Sequence, residues 1–225
     1  MLCWLPRGLA YFIHAPKTAG NTVQQSIIHA GYNLDQIAVS GHQNGIDRFE
    51  ITGKTTSSKH QPLKNYYLCD PASTDYWVVI NVRQPLQRLV SLYFSPHRWY
   101  YLDPISGRYE LPSQVSFCEQ AFAELLIAAP AAVDYLDDAT PCSNPALVQE
   151  RRVMTQNLLS SGRLAVIKTE QLAIDFEAAF GFPLTISPRN VSPYREQAQR
   201  VLASKAIAQL VASSHHQIDH QLFYS

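Results

Sequence analysis

A chain of 225 residues, 46% of them hydrophobic, is long enough to bury one full core, and it is read as a single α/β domain over residues 1–225. Eighteen Lys and Arg balance eighteen Asp and Glu, and charged residues are only 16% of the chain, so no basic surplus exists to hold a nucleic-acid backbone or an anionic membrane. Any anion site must therefore be local, made by a few residues.

Residues 1–10, with Trp4, Pro6 and Arg7, are too short for the apolar core and cleavage site of a signal peptide. No apolar run reaches the ~20 residues that a bilayer crossing needs, and the expectation is a soluble, cytoplasmic protein. Cys3, Cys69, Cys118 and Cys142 lack the paired spacing of zinc or redox sites and are expected as buried free thiols.

The first predicted strand is the aromatic and β-branched run Tyr11, Phe12, Ile13, closed by Pro16. Ala19 and Gly20 then allow close backbone approach to a ligand. Val23, Ile27 and Ile28 recur at helical spacing, which puts Asn21 or Thr22 near the N-cap. First-turn N–H groups and the helix dipole attract anions there, and Lys17 adds a full positive charge. A nucleotide-triphosphatase loop would need its lysine directly after a second glycine; here Lys17 precedes Gly20 and no glycine stands ahead of it.

The run Pro16-Lys17-Thr18-Ala19-Gly20-Asn21-Thr22 resembles the 5′-phosphosulfate loop of sulfotransferases that use 3′-phosphoadenosine 5′-phosphosulfate (PAPS). Asn21 stands where that family usually has a hydroxyl, and its amide still donates to a phosphate oxygen. The resemblance implies a P-loop-like sulfotransferase fold, with a short parallel sheet flanked by helices and residues 17–22 on the cofactor. Lys17 would also stabilise charge on the leaving phosphate.

Residues 40–65 are polar and read as loop. They hold His42, Glu50 and the pair Lys59-His60, which resembles a Lys-His element at this place in the same family. His60 is the first candidate for the general base because imidazole titrates near neutrality, with His14, His42 and Glu50 as rivals. Residues 63–69 fit either a short helix or a strand.

Residues 76–82, Tyr-Trp-Val-Val-Ile-Asn-Val, carry no charge and have the pattern of a strand buried on both faces. They run into Arg83-Gln84-Pro85 and a helix with Leu86, Leu89, Val90 and Tyr93 as its apolar stripe and Arg88 and Ser91 available near its start. The unit Arg83-x-Pro85-x-x-Arg88-x-x-Ser91-x-Tyr93 resembles the 3′-phosphate motif of the same family, with Gln84 its departure. That resemblance gives Arg83 and Ser91 to the cofactor's 3′-phosphate. The strand supplies no aspartate for Mg²⁺, and no metal is implied.

Beyond it, helical periodicity marks residues 117–126, a strand fits residues 164–168, and an amphipathic helix with Leu172, Phe176 and Phe180 stops at Gly181. Residues 166–176 resemble the late strand and Glu-x-Leu-x-x-Asp-Phe segment of the family, and Asn190 to Arg195 resembles its Asn-x-Ser loop over the cofactor. Val201, Ile207, Leu210 and Val211 suggest one long closing helix. The resemblance implies sulfuryl transfer from PAPS to a hydroxyl of a small-molecule or carbohydrate acceptor, releasing 3′-phosphoadenosine 5′-phosphate (PAP). The alternatives are a metal-independent nucleotide kinase or triphosphatase relative, and a non-catalytic nucleotide-binding protein.

Overall fold

The computed structural model describes residues 2–6, 8–32, 34–35, 60–185 and 192–225. In chain order these form β1 (Leu2–Leu5), β2 (Gly8–Ile13), α1 (Gly20–His29), β3 (Leu34–Asp35), α2 (Leu63–Cys69), β4 (Trp77–Val82), α3 (Pro85–Tyr93), α4 (Pro96–Trp99), β5 (Tyr101–Leu102), β6 (Tyr109–Glu110), α5 (Glu119–Ala128), α6 (Pro145–Ser160), β7 (Leu164–Lys168), α7 (Leu172–Phe180), α8 (Arg195–Leu202), α9 (Lys205–Ala212) and α10 (Gln217–Phe223). Strands β5 and β6 make a small separate ribbon; the main sheet has the order β3-β1-β2-β4-β7.

The centre of that sheet is parallel: β2 runs beside β4 from Ala10↔Trp77 to Ile13↔Ile80, and β4 beside β7 from Val78↔Leu164 to Val82↔Lys168. At the edge the expectation of a parallel sheet fails. Strand β1 pairs antiparallel with β2, Leu5 opposite Gly8. The reason is chain length: only residues 6 and 7 separate the two strands, enough for a hairpin but far short of the dozen or so that a parallel crossover needs.

Successive strand residues point to opposite faces, so two cores form. Tyr11, Ile13, Val78, Ile80 and Val82 bury against Leu63 and Tyr66 of α2 and Ile218 and Phe223 of α10. Ala10, Phe12 and Val79 bury against Val23 and Ile27 of α1 and Phe176 and Phe180 of α7. Each large side chain so covered contributes about 1.5–3 kcal/mol. A third cluster lies away from the sheet, with Leu89, Leu92 and Tyr93 of α3 packing on Phe122 and Leu125 of α5, Val201 of α8, and Ile207 and Val211 of α9.

Strand β7 and helix α7 have their expected limits, and Gly181 closes α7 in the left-handed conformation, φ 80°. Residues 63–69 are helix. The single closing helix over Val201 to Val211 is instead two, α8 and α9, broken at Ser204, whose hydroxyl accepts from the Ile207 amide at the start of α9. Helix α6, with 16 residues, went unread among the prolines that punctuate that region, although Asn144 caps the Ala146 amide and Pro145 occupies its first turn. The four cysteines are free, but Cys69 and Cys118 are exposed rather than buried. No helix among the described residues is long and apolar enough to cross a membrane.

The segment linking α5 to α6 is held by buried charge. Asp219 of α10, with no exposure, accepts from the Ala132 and Val133 amides at 2.7 and 2.8 Å. Asp134 accepts from the Ala131 amide and from Arg151, which also bridges Asp137 and Asp138. Burial pushes the Asp219 carboxyl up to about 6, against the pull of the Arg88 guanidinium and the two amides. The folded state therefore binds more protons than the unfolded chain between about pH 4 and pH 6, so Asp219 stabilises most below that window and less above it. Asp219→Ala is expected to cost about 3 kcal/mol near pH 4.5, where two buried amides lose their acceptor, and less at pH 8. Urea denaturation of both proteins at the two pH values measures this, and an equal cost at both would mean that the carboxyl titrates normally.

Candidate functional site

Because β2, β4 and β7 are parallel, their carboxyl ends share one edge of the sheet, where residues 14–19, 83–84 and 169–171 leave the strands together. Ligands of open α/β sheets bind at that edge. The first of these connections has its carbonyls taken up almost one by one. His60 Nδ1 donates to the His14 carbonyl at 2.6 Å, the Thr18 hydroxyl to Ala15 at 2.6 Å, Arg88 Nε to Pro16 at 3.0 Å, and Asn81 Nδ2 to Thr18 at 3.0 Å. The Ala19 carbonyl accepts the Thr22 and Val23 amides.

The side chains of His60, Thr18, Arg88 and Asn81 are all buried, so the carbonyls they hold point into the protein. In a trans peptide the N–H is opposed to the C=O. The Lys17 amide, which shares a peptide with the Pro16 carbonyl, and the Ala19 amide, which shares one with Thr18, are accordingly turned the other way. Lys17 and Ala19 both have left-handed backbones, φ 65° and 63°, and Thr18 between them does not. Alternation of this kind makes an anion-binding concavity.

Helix α1 follows directly. Its N-cap is Ala19 rather than Asn21 or Thr22, and no side chain caps it. Residues 20–22 thus form the first turn, where helical geometry supplies no intrahelical acceptor for the leading amides. Asn21 is exposed and Thr22 buried, and Lys17 is half-buried at the loop's tip. Gly20 is required by packing: a methyl group there would lie 2.0 Å from Cδ2 of His14, whose ring stacks on Phe12 and stands edge-on to His60 at 4.3 Å.

His60 is thus brought against the loop by its bond to the His14 carbonyl, and is only 6% exposed. A carbonyl only accepts, so Nδ1 bears the hydrogen and Nε2 is the basic nitrogen of the neutral ring. Of its rivals, His14 lies buried under Gly20, while His42 and Glu50, like Lys59, lie outside the described residues.

On β4 and α3 the picture divides. Arg83 leaves the strand end half-buried, 3.4 Å from Gln87 Oε1; burial lowers its pKa while Glu170 and Tyr224 raise it. Glu170 itself accepts from the Gln84 amide and from the Tyr224 hydroxyl, both at 2.9 Å. Arg88 is not available for a ligand as the sequence suggests. It has no exposure, and besides Pro16 it donates to the Pro130 carbonyl at 2.8 Å. Ser91, half-buried and three residues on, is its neighbour on the helix surface. In the late loop Ser192 donates to the Phe94 carbonyl; Asn190 and Val191 lie outside the described residues.

Sequence reasoning missed the role of Asn81. The signal was present, an amide alone in a strand otherwise buried and apolar. Among the described residues no group of three or more His, Cys, Asp or Glu is placed to hold a metal ion. No family model, curated protein or solved structure matches this chain.

The backbone makes a paired expectation about two adjacent positions. Gly20→Ala should cost about 1–3 kcal/mol by driving a methyl group into the His14 ring, whereas Ala19→Gly should be neutral or stabilising by up to about 1 kcal/mol because it relieves a left-handed alanine. Chemical denaturation decides it, and equal losses at both sites would contradict this account of the turn.

Proposed function

We propose that this chain is a PAPS-dependent sulfotransferase that moves the sulfuryl group to a hydroxyl of a small-molecule or glycan acceptor and releases PAP. The observation that carries the reading is the turn between β2 and α1, where Lys17 and Ala19 adopt left-handed backbones inside the stretch that resembles the phosphosulfate loop. On this reading β2, β4 and β7 form a P-loop-like sulfotransferase core. The 5′-phosphosulfate sits on the amides of residues 17–22, and Lys17 neutralises charge on the oxygen bridging sulfur and phosphorus as that bond breaks. Preorganised positive groups of this kind are typically worth about 3–4 kcal/mol.

His60 Nε2 takes the acceptor proton as the oxygen attacks sulfur in line with the leaving phosphate, so the proton ends on the imidazole and the electron pair on PAP. Arg83 and Ser91 hold the 3′-phosphate. Resemblance does not extend to the acceptor, and the loops that bind acceptors vary most.

Thermal shift gives the first test. PAP at about 100 times its dissociation constant should stabilise the protein by about 2.7 kcal/mol, with no comparable effect of ATP, with or without Mg²⁺; the reverse pattern would favour the kinase alternative. Incubation with PAPS and a panel of alcohols, sugars and phenols, with product mass as the readout, then tests transfer itself.

A second expectation concerns ligand choice. Arg83→Ala should weaken PAP by about ten-fold or more while leaving adenosine 5′-phosphosulfate, which has no 3′-phosphate, nearly unchanged. Calorimetry with both ligands reads this, and equal losses would show that Arg83 reads the 5′ end or serves only the fold.

A further inference from the structure

We infer that Arg88 and Asn81 are positioning residues for the loop between β2 and α1: each holds one loop carbonyl inside the protein and thereby turns the amide of the next residue toward a bound oxyanion. Neither residue need touch the ligand. Both act through a peptide plane.

The geometry pairs them with different amides. Arg88 Nε, 72 residues away in sequence, takes the Pro16 carbonyl, and the other half of that peptide is the Lys17 N–H. Asn81 Nδ2, 63 residues away, takes the Thr18 carbonyl, and the other half of that peptide is the Ala19 N–H. Lys17 and Ala19 are the two loop residues with positive φ, and neither is a glycine. Left-handed backbone costs an ordinary residue about 1–2 kcal/mol, so it persists only where the surroundings impose it. Two buried donors, one from the tip of β4 and one from α3, are that imposition.

Each donor is also costly to keep where it is. Arg88 is fully buried with Nη2 lacking a hydrogen-bond partner among the described residues, and Asn81 is fully buried with Oδ1 in the same state. Apolar residues of similar shape would cover the same surface without that penalty. Polar groups tolerated at this cost, both aimed at one turn, point to the turn's conformation as what they serve. The sequence places them to suit. Asn81 follows the Ile13↔Ile80 pair, level with the start of the loop, and Arg88 sits one turn into α3, facing back from the helix that follows the same strand.

This rests on the loop being a phosphate site but not on sulfuryl transfer, and the test separates the two. The full chain, labelled with ¹⁵N, is titrated with inorganic pyrophosphate and separately with PAP while the Lys17 and Ala19 amide resonances are followed. In the wild type both should move downfield to saturation. In Asn81→Leu, which removes a donor but no charge, the Ala19 shift should be lost and pyrophosphate should bind about ten-fold more weakly, with the Lys17 shift retained. In Arg88→Met the pattern should reverse, Lys17 losing its shift. Arg88→Lys, which keeps one charged donor, should restore it in part. A general loosening of the fold would blur both amides alike, so the residue-by-residue split is the diagnostic result. Arg88→Met takes from Asp219 the cation nearest to it and leaves the Pro130 carbonyl without its donor, and is the variant at risk of not folding; Asn81→Leu carries the test without it.

Unchanged pyrophosphate binding and an unchanged Ala19 shift in Asn81→Leu would overturn the inference, as would wild-type amides that ignore saturating ligand. Pyrophosphate moving the amides while PAP does not bind would leave the inference standing and remove the sulfotransferase reading. Binding of PAP with the two amides unmoved would do the opposite.

Discussion

A guanidinium with no access to water must find its partners inside the protein, and Arg88 finds them in three places at once. It donates to the Pro16 carbonyl at the end of β2 and to the Pro130 carbonyl after α5, and it lies within the electrostatic reach of Asp134 and Asp219. Taking an ion out of water costs several kcal/mol, recovered only when geometry and charge are both right. The fold is arranged so that they are. Helix α3 carries the cation, the linker after α5 supplies one acceptor, and α10 brings the carboxylate that fastens the linker's Ala132 and Val133 amides. The loop and the carboxyl-terminal helix therefore share one electrostatic fixture, though they lie more than 200 residues apart.

Around that fixture burial selects neutrality wherever charge has no partner. His215 and His216 both have lowered pKa values because burial disfavours the imidazolium, and each ring meets a backbone carbonyl, of Ala129 and Leu126 respectively. Arg151, by contrast, gathers Asp134, Asp137 and Asp138 and keeps its charge through them. On the proposed function such rigid backing is an advantage, since preorganised donors cost nothing to reorient when charge develops.

How far the sequence could be read depended on how local each feature is. The aromatic and β-branched runs at Tyr11 to Ile13 and Trp77 to Val82 declare strands because period and propensity act within a few residues, and the Gly181 stop is local too. Helix α6 was hidden because its pattern is weakly amphipathic: Arg151 and Thr155 are its buried residues, so the stripe that faces the interior is partly polar. The break at Ser204 was missed because apolar spacing continues across it, while the serine that caps α9 is a single residue. The Thr18 and Arg88 side chains look like ligands on paper; in space both spend their donors on backbone carbonyls.

By itself the sequence determined the order strand, small-residue turn, helix at Tyr11 to His29, the second strand running up to Arg83, and Lys17, His60, Arg83 and Ser91 as the groups from which the proposed site is built. These follow from side-chain type, spacing and local backbone preference. Tertiary structure decided what a one-dimensional pattern does not contain. It made β1 antiparallel, brought His60 against the His14 carbonyl across 46 residues, and set Asn81 and Arg88 under the loop across 63 and 72. A peptide plane turns according to the donor that reaches its carbonyl, and that donor comes from whichever distant strand or helix the core packs beneath it.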